Sequence, residues 1–496
     1  MNVSKLPPEV LGNIFRWNVT PWDDFWGWED RSHGFLLVCH HWFEVASRTP
    51  ELWSFWGTTP GEWKSRCHCS NTTPLDLVLD VDVDDGSFDT TLRGVLQDRA
   101  TRDTIRRVHL RARDSELLSS VVTSLSVDCE KFRSNCVMSF IFLNDSDTTV
   151  DLSDFFARYC FPKLQHLELT NYTIKRWDHL MSRTGALATL SLDSIFPSPI
   201  PTTSQLLSIL ASNPTLQKIS LSVCADPDHN DDRTPFRVPL HHLKALNLSG
   251  DVRDVVGVLR QLDHARTVDL HLSLHKCTVG DISQALRPYL HDYVQRRDRS
   301  PNGLGFFISQ CNMRTIGHNI GDVGNLEPPT PARDRVAWFV SVEIDLGERS
   351  PKDLLEKAIL ELLVHTPREE ITYFRASEEP ITMKAISTQF PNLGALHFDE
   401  IPISALSHLG GDKETFPSLQ RVFLDQVLVH NYDWSPLTTS LARRKSSGNQ
   451  LHALEIFGSP HMCTEVVEDI RSVVQHFRTE GPEQRPPCPF NTCPRL

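Results

Sequence analysis

A short apolar hexad, three large side chains in the pattern Φ-x-x-Φ-x-Φ, returns along much of this chain and restricts its possible folds more than any other feature. Copies stand at Ile105-x-x-Val108-x-Leu110, Val137-x-x-Phe140-x-Phe142, Leu164-x-x-Leu167-x-Leu169, Leu187-x-x-Leu190-x-Leu192, Leu216-x-x-Ile219-x-Leu221 and Leu243-x-x-Leu246-x-Leu248. Leu393-x-x-Leu396-x-Phe398, Leu419-x-x-Val422-x-Leu424 and Leu451-x-x-Leu454-x-Ile456 follow nearer the C-terminus. Within each series the copies begin 23 to 32 residues apart, room for one strand and one helix per unit. The last two apolar positions have the two-residue period of a strand that buries one face.

Helix punctuation fills the gaps. Ser350-Pro351-Lys352-Asp353 precedes Leu354, Leu355, Ala358, Ile359, Leu362 and Leu363, an N-cap and first-turn proline ahead of an apolar stripe. Asp281-Ile282-Ser283-Gln284 and Ser435-Pro436 open further helices, Leu206 to Leu210 ends at Asn213-Pro214, and Val252 to Leu262 follows Asp251. Val466 to Phe477 makes a long apolar stripe before Gly481. Strand then helix, repeated, predicts an α/β fold of parallel strands with right-handed crossovers, a curved solenoid or horseshoe over residues 74–478. From Ser273 to Phe390 the pattern blurs, with strand candidates at Gly305 to Ser309, Val336 to Ile344 and Ile371 to Arg375. Ala225 to Asp232 and Leu326 to Asp334 read as loops, and residues 479–496, with five Pro, as a disordered tail.

Residues 1–60 carry a different signal. Pro7 and Pro8 suit the first helical positions, and Leu11, Ile14, Phe15 and Val19 recur at helical spacing, as do Leu36, Cys39, Phe43 and Ala46 in a second segment. Of the eleven Trp in the chain, Trp17, Trp22, Trp26, Trp28, Trp42, Trp53, Trp56 and Trp63 stand within the first 63 residues. That is more large apolar surface than about 60 residues can hide, so part of it is expected to face another surface.

Leu6-Pro7-x-Glu9-Val10-Leu11-x-x-Ile14-Phe15, Leu37-Val38-Cys39-x-x-Trp42 and Pro50-x-Leu52-Trp53 resemble the F-box, the helical module by which substrate receptors of SCF-type ubiquitin ligases dock onto the Skp adaptor. The stretch from Trp17 to Gly34 is longer and more aromatic than the family's usual link. The hexads are similar to the degenerate leucine-rich repeats that follow an F-box in many fungal proteins. That family's strong form has Asn or Cys three residues beyond the hexad. Here the slot holds Cys224 once, and Tyr172, Ile195, Asp251, Ile401 and Val427 elsewhere, so a polar ladder between turns is expected to be mostly absent.

The resemblance implies a non-catalytic receptor that binds the Skp adaptor and, through it, the cullin scaffold. It places adaptor binding on Leu6, Pro7, Val10, Leu11, Ile14, Val38, Cys39, Trp42, Leu52 and Trp53, some as contacts and some as the support beneath them. In each hexad the residue between the last two apolar positions points away from the core. That geometry nominates His109, Ile141, Glu168, Ser191, Ser220, Asn247, Asp269, His397, Phe423 and Glu455 as a face for a target protein, their mixed chemistry suiting a protein or peptide. An alternative is an adaptor-independent interaction scaffold whose F-box-like helices cap the solenoid core.

The formal charge of −13, with no basic run, argues against nucleic acid as a partner. Met1 to Lys5 leads into the first helix with no apolar leader, and no 18-residue apolar run occurs, so neither secretion nor a membrane is expected. Twelve irregularly spaced Cys read as reduced thiols, which makes cytoplasm or nucleus the expected compartment. Cys67-His68-Cys69, with His40 and His41 earlier, lacks the second Cys pair a zinc site needs. Asp80 to Gly86 fails as a calcium loop, since Asp85 replaces its glycine and Thr91 its closing Glu. The plainer account is a strand over Leu75 to Val83, the first of the array, with its carboxylates outward. Gly317-x-x-x-Gly321-x-x-Gly324 is not a phosphate loop, and no nucleophile or metalloprotease signature is present. No cofactor, metal or catalytic residue is assigned.

Overall fold

The computed structural model describes residues 6–19, 38–49, 52, 55–56, 75–80, 105–112, 114–127, 137–146, 148–158, 161–177, 186–193, 201–223, 237–264, 268–275, 284, 286, 288, 303–309, 339–345, 371–377, 383–399, 401–410, 415–425, 427, 429, 433–458 and 462–480. The helix expected after Ser350, the box at Asp281, the loops 225–232 and 326–334, the Cys67-His68-Cys69 cluster and the Gly317 segment lie outside these residues. The chain divides into two compact units, residues 1–222 with 226–243, and residues 223–225 with 244–496.

The first unit opens with a helical pair, α1 (Pro8–Val19) and α2 (His40–Ser47). Pro7 offers its carbonyl to the Leu11 N–H at 3.0 Å, and Pro8 takes the first helical position, where its missing N–H costs nothing. A parallel sheet follows, built in chain order from β1 (Phe55–Trp56), β2 (Leu75–Asp80), β3 (Ile105–Ala112) and β4 (Ser139–Asn144). After the side strand β5 (Val150–Asp151) it continues through β6 (His166–Thr170). Past a second side strand, β7 (Tyr172–Thr173), it adds β8 (Thr189–Asp193) and β9 (Lys218–Val223). Here α3 (Ser115–Val127) joins β3 to β4, α4 (Ser153–Arg158) precedes β6, and α5 (Thr203–Ser212) joins β8 to β9. β5 and β7 pair with each other, and β10 (Val238–Leu240) closes the unit.

The second unit contains β11 (Ala245–Asp251), α6 (Val252–Gln261), β12 (Leu262–His264), β13 (Asp269–His275), β14 (Gly303–Ser309), β15 (Phe339–Asp345) and β16 (Tyr373–Ser377). It goes on with α7 (Met383–Gln389), β17 (Ala395–Asp399), a 3₁₀ helix (Ile403–Gly410), β18 (Arg421–Asp425), α8 (Ser435–Ser446), β19 (Ala453–Phe457), α9 (Thr464–Val473) and β20 (His476–Glu480). Its strands stand in the order β11-β13-β15-β14-β16-β17-β18-β19-β20. β14 and β15 are interchanged relative to the chain.

The sheet pairings in both units are parallel. Parallel neighbours need a crossover of a dozen residues or more, which the hexad spacing supplies. The apolar positions of all the hexads are buried, and the helices lay their own apolar stripes down as well, Leu206, Ile209 and Leu210 from α5 and Val255, Val256 and Leu259 from α6. Thr202 begins α5 with a reciprocal capping box, its hydroxyl accepting the Gln205 N–H while Gln205 Oε1 accepts the Thr202 N–H.

Four expectations are corrected. The strand at Leu75 is not the first, because β1 pairs beyond it. Its carboxylates do not all face water: Asp76 is buried, held by Arg106 Nη2 at 3.1 Å and Arg107 Nη1 at 3.5 Å. The stripe from Val466 to Phe477 is α9 only to Val473. The chain then turns at the buried Val474 into β20, so the ordered array runs through Glu480 and not to residue 478. The polar ladder, expected to be mostly absent, has one rung at Asn144 and Asn171, one residue earlier than the expected slot. Asn144 Nδ2 donates to the Asn171 carbonyl and Asn171 Nδ2 to the Asn144 carbonyl, both at 2.9 Å, with both residues buried. Asn171 sits at φ 52, a left-handed conformation that Asn tolerates better than most residues.

Candidate interaction surfaces

The sequence singles out two surfaces, the helical pair and the face of the strands away from the helices. On α1 the helical period splits the apolar residues into two rows. Leu11 and Phe15 are sealed, while Val10 and Ile14, one turn apart, remain 43% and 38% exposed. On α2, Val45 and Ala46 are buried. Trp42 is half-buried and meets Phe15 edge-on, ring centroids 5.1 Å apart. Gly12 faces Thr49, where an added Cβ would stand 3.4 Å from the hydroxyl, an ordinary contact. Thr49 is itself tied to the Val45 carbonyl at 2.8 Å.

Val38, in the turn before the helix, is 56% exposed and Phe43 51%. Among the described residues these four, Val10, Ile14, Val38 and Phe43, are the large apolar side chains left in water. Of the residues assigned to adaptor binding, Pro7 and Cys39 are also exposed and Leu6 is half-buried. Leu11 and Leu52 are 0% and 6% exposed and so belong with the support beneath the surface. Trp53 lies outside the described residues. Phe43, spaced with Cys39 and Ala46 in the sequence, is exposed like Cys39, while α2 buries Val45 and Ala46.

On the strands, one residue of each hexad faces away from the helices, as expected, and the register aligns these residues. His109, Ile141, Glu168, Ser191 and Ser220 form a continuous row across β3, β4, β6, β8 and β9, each half-buried. Burial, with the nearby Arg111 charge added, holds His109 at about 4, a neutral ring at physiological pH. Burial also raises the Glu168 carboxyl, opposed by Lys218 and helped by Asp193. In the second unit Asn247 and Glu455 are half-buried; Asp269 is corrected, since β13 pairs it with Ala245 and sets His271, not Asp269, opposite Asn247.

His397 and Phe423 depart from this pattern and are corrected. They are 4% and 0% exposed. Phe423 packs with Tyr373, Ala395 and Phe457, its ring centroid 5.8 Å from that of His397. His397 Nδ1 and the Tyr373 hydroxyl are hydrogen-bonded at 3.0 Å. These residues serve the packing of the second unit and are not available as contacts.

No helix among the described residues is long and apolar enough to cross a membrane. No family model matches the sequence, and no curated protein matches it. Among solved structures the chain is similar to one in the crystal structure of the Rad7 and Elc1 complex in yeast. The two are 14% identical, with a TM-score of 0.32, over 86% of this chain and 90% of that chain.

Proposed function

We propose that this chain is a substrate receptor of an SCF-type ubiquitin ligase: the helical pair docks the Skp adaptor and, through it, the cullin scaffold, and an α/β solenoid presents its open face to a target protein. The observation that carries the reading is the concentration of exposed apolar side chains on α1, α2 and the turn just before α2. Val10, Ile14, Val38 and Phe43 are about half uncovered. Covering each would contribute on the order of 1 kcal/mol, a gain a folded monomer forgoes unless a partner takes it. The residues beneath, Leu11, Phe15, Trp42 and Val45, give the strip a packed base. The chain contributes proximity and no catalytic group of its own, and works in the cytosol or nucleus.

Capture of purified Skp adaptor by the full-length chain tests this. Ile14→Asp combined with Val38→Asp should abolish capture while the circular dichroism of the sheets stays as it was. Unchanged capture by that variant rejects the docking surface. A wild-type chain that captures no adaptor supports the alternative, an adaptor-independent scaffold.

A further inference from the structure

The open face of the first unit has a chemical asymmetry along its row. β4 contributes Ile141, with Leu143 two residues on, both half-buried and apolar. The adjoining strand places Glu168 in register with Ile141, about 4.8 Å away. Beyond it come hydroxyls only, Thr170 on the same strand, Ser191 on β8 and Ser220 on β9. Asp193 lies one residue pair further along β8, where the Ser222 hydroxyl donates to it at 2.6 Å.

Glu168 is the unusual member. It is half-buried, yet among the described residues it has no hydrogen-bond or ion-pair partner, and Lys218 and Asp193 act on it only through their charges. The cation that acts on it, Lys218, is exposed and stops short of pairing. A carboxylate partly withdrawn from water and given no donor is costly to keep, unless the donor arrives with a ligand. The hydroxyl neighbours can accept or donate, but they bring no charge. Asp193 and Glu168 together make the β6–β8 sector negative, beside an apolar sector on β4. A neutral His109 borders Ile141 on the other side.

We infer that Glu168 receives a Lys or Arg side chain of the target protein, while an aliphatic or aromatic residue close to that cation in the same segment seats on Ile141 and Leu143. The inference rests on the open face being the target-binding surface and adds the chemistry of what it takes. The occupant is a protein segment that pairs a basic residue with an apolar one. A single free carboxylate is too few ligands for a metal ion, and the −13 charge disfavours nucleic acid.

The test uses the full-length chain, immobilised, and a random heptapeptide display library as the probe. Selected peptides should be enriched in Lys or Arg within three positions of Leu, Ile, Val or Phe. Glu168→Gln, nearly isosteric, should weaken a selected peptide about tenfold, the worth of one charge-assisted pair. Glu168→Lys should shift selection to Asp or Glu at the same position, and Ile141→Asp should remove the apolar preference. Selection with no basic enrichment, or the same peptides bound equally by Glu168→Gln, overturns the inference. Adaptor capture is measured separately. Adaptor bound without basic peptides defeats this inference alone, and basic peptides without adaptor defeat the ligase reading and leave the site standing.

Discussion

β4 and β18 carry the same hexad and the same parallel pairing, yet their open-face residues live in different surroundings. Ile141 is half-buried beside Glu168, whereas Phe423 is fully sealed beside His397. The hexad dictates only the face turned toward the helices. The other face is decided by what the adjoining strands bring into register. In β16 to β19 they bring Tyr373, Ala395, His397 and Phe457, rings and a methyl group that close over Phe423. In β6 to β9 they bring Glu168, Ser191 and Ser220, which leave the row reachable.

The contrast is broken most directly at the two positions themselves. Phe423→Ala should cost about 3–5 kcal/mol, as for a large ring removed from a packed core, and Ile141→Ala about 1 kcal/mol or less, both read by urea unfolding. Equal costs would mean that the two rows are not different environments.

A smaller effect sharpens the same point through pH. Burial, with Arg111 adding to it, lowers His109 from 6.5 to about 4. Between these values the folded chain binds fewer protons than the unfolded one. The stability this ring contributes is therefore full above pH 6.5 and lost as the pH falls toward 4, by about 3 kcal/mol at most. His109→Gln should flatten the stability curve in that window. A slope identical to the parent's would show that the ring is hydrated and the row more open than described.

Smaller still is the asparagine ladder, which stiffens the strand ends beside the open row. Asn171→Ala removes a buried reciprocal bond and forces a Cβ without a polar group into φ 52, costing about 2 kcal/mol. Asn171→Gly keeps the backbone relaxed and should cost about 1 kcal/mol less than the alanine. Identical values would show that the backbone angle carries no strain.

Much of the fold could be read in advance. The hexads at Ile105, Leu164, Leu187, Leu216, Leu243, Leu393, Leu419 and Leu451 all lead into strands, because a two-residue alternation of large apolar groups has one comfortable backbone. Pro8 and Ser435-Pro436 marked helix starts for equally local reasons, whereas the Thr202 box emerged only with the structure. β20 was hidden because His476 to Glu480 continues the apolar spacing of α9, and only the buried turn at Val474 separates them. The Asn144–Asn171 rung is invisible in the repeat pattern because both residues stand one position before the slot that pattern names. At the helical pair the spacing marked the apolar residues of α1 and α2, but their sorting into Val10 and Ile14 outside and Leu11 and Leu52 inside was not legible.

Chain order alone therefore determined which segments become strands, which become helices and which side of each faces the core, since these follow from periods of two and 3.6 residues acting within a few positions. Tertiary structure decided the rest: that Asp76 is enclosed with two arginines, that His397 and Phe423 are closed off while Glu168 is left without a donor, and that Phe43 faces water. Each of those outcomes depends on a side chain supplied from a distant part of the chain, and no local period carries information about a neighbour that arrives by folding.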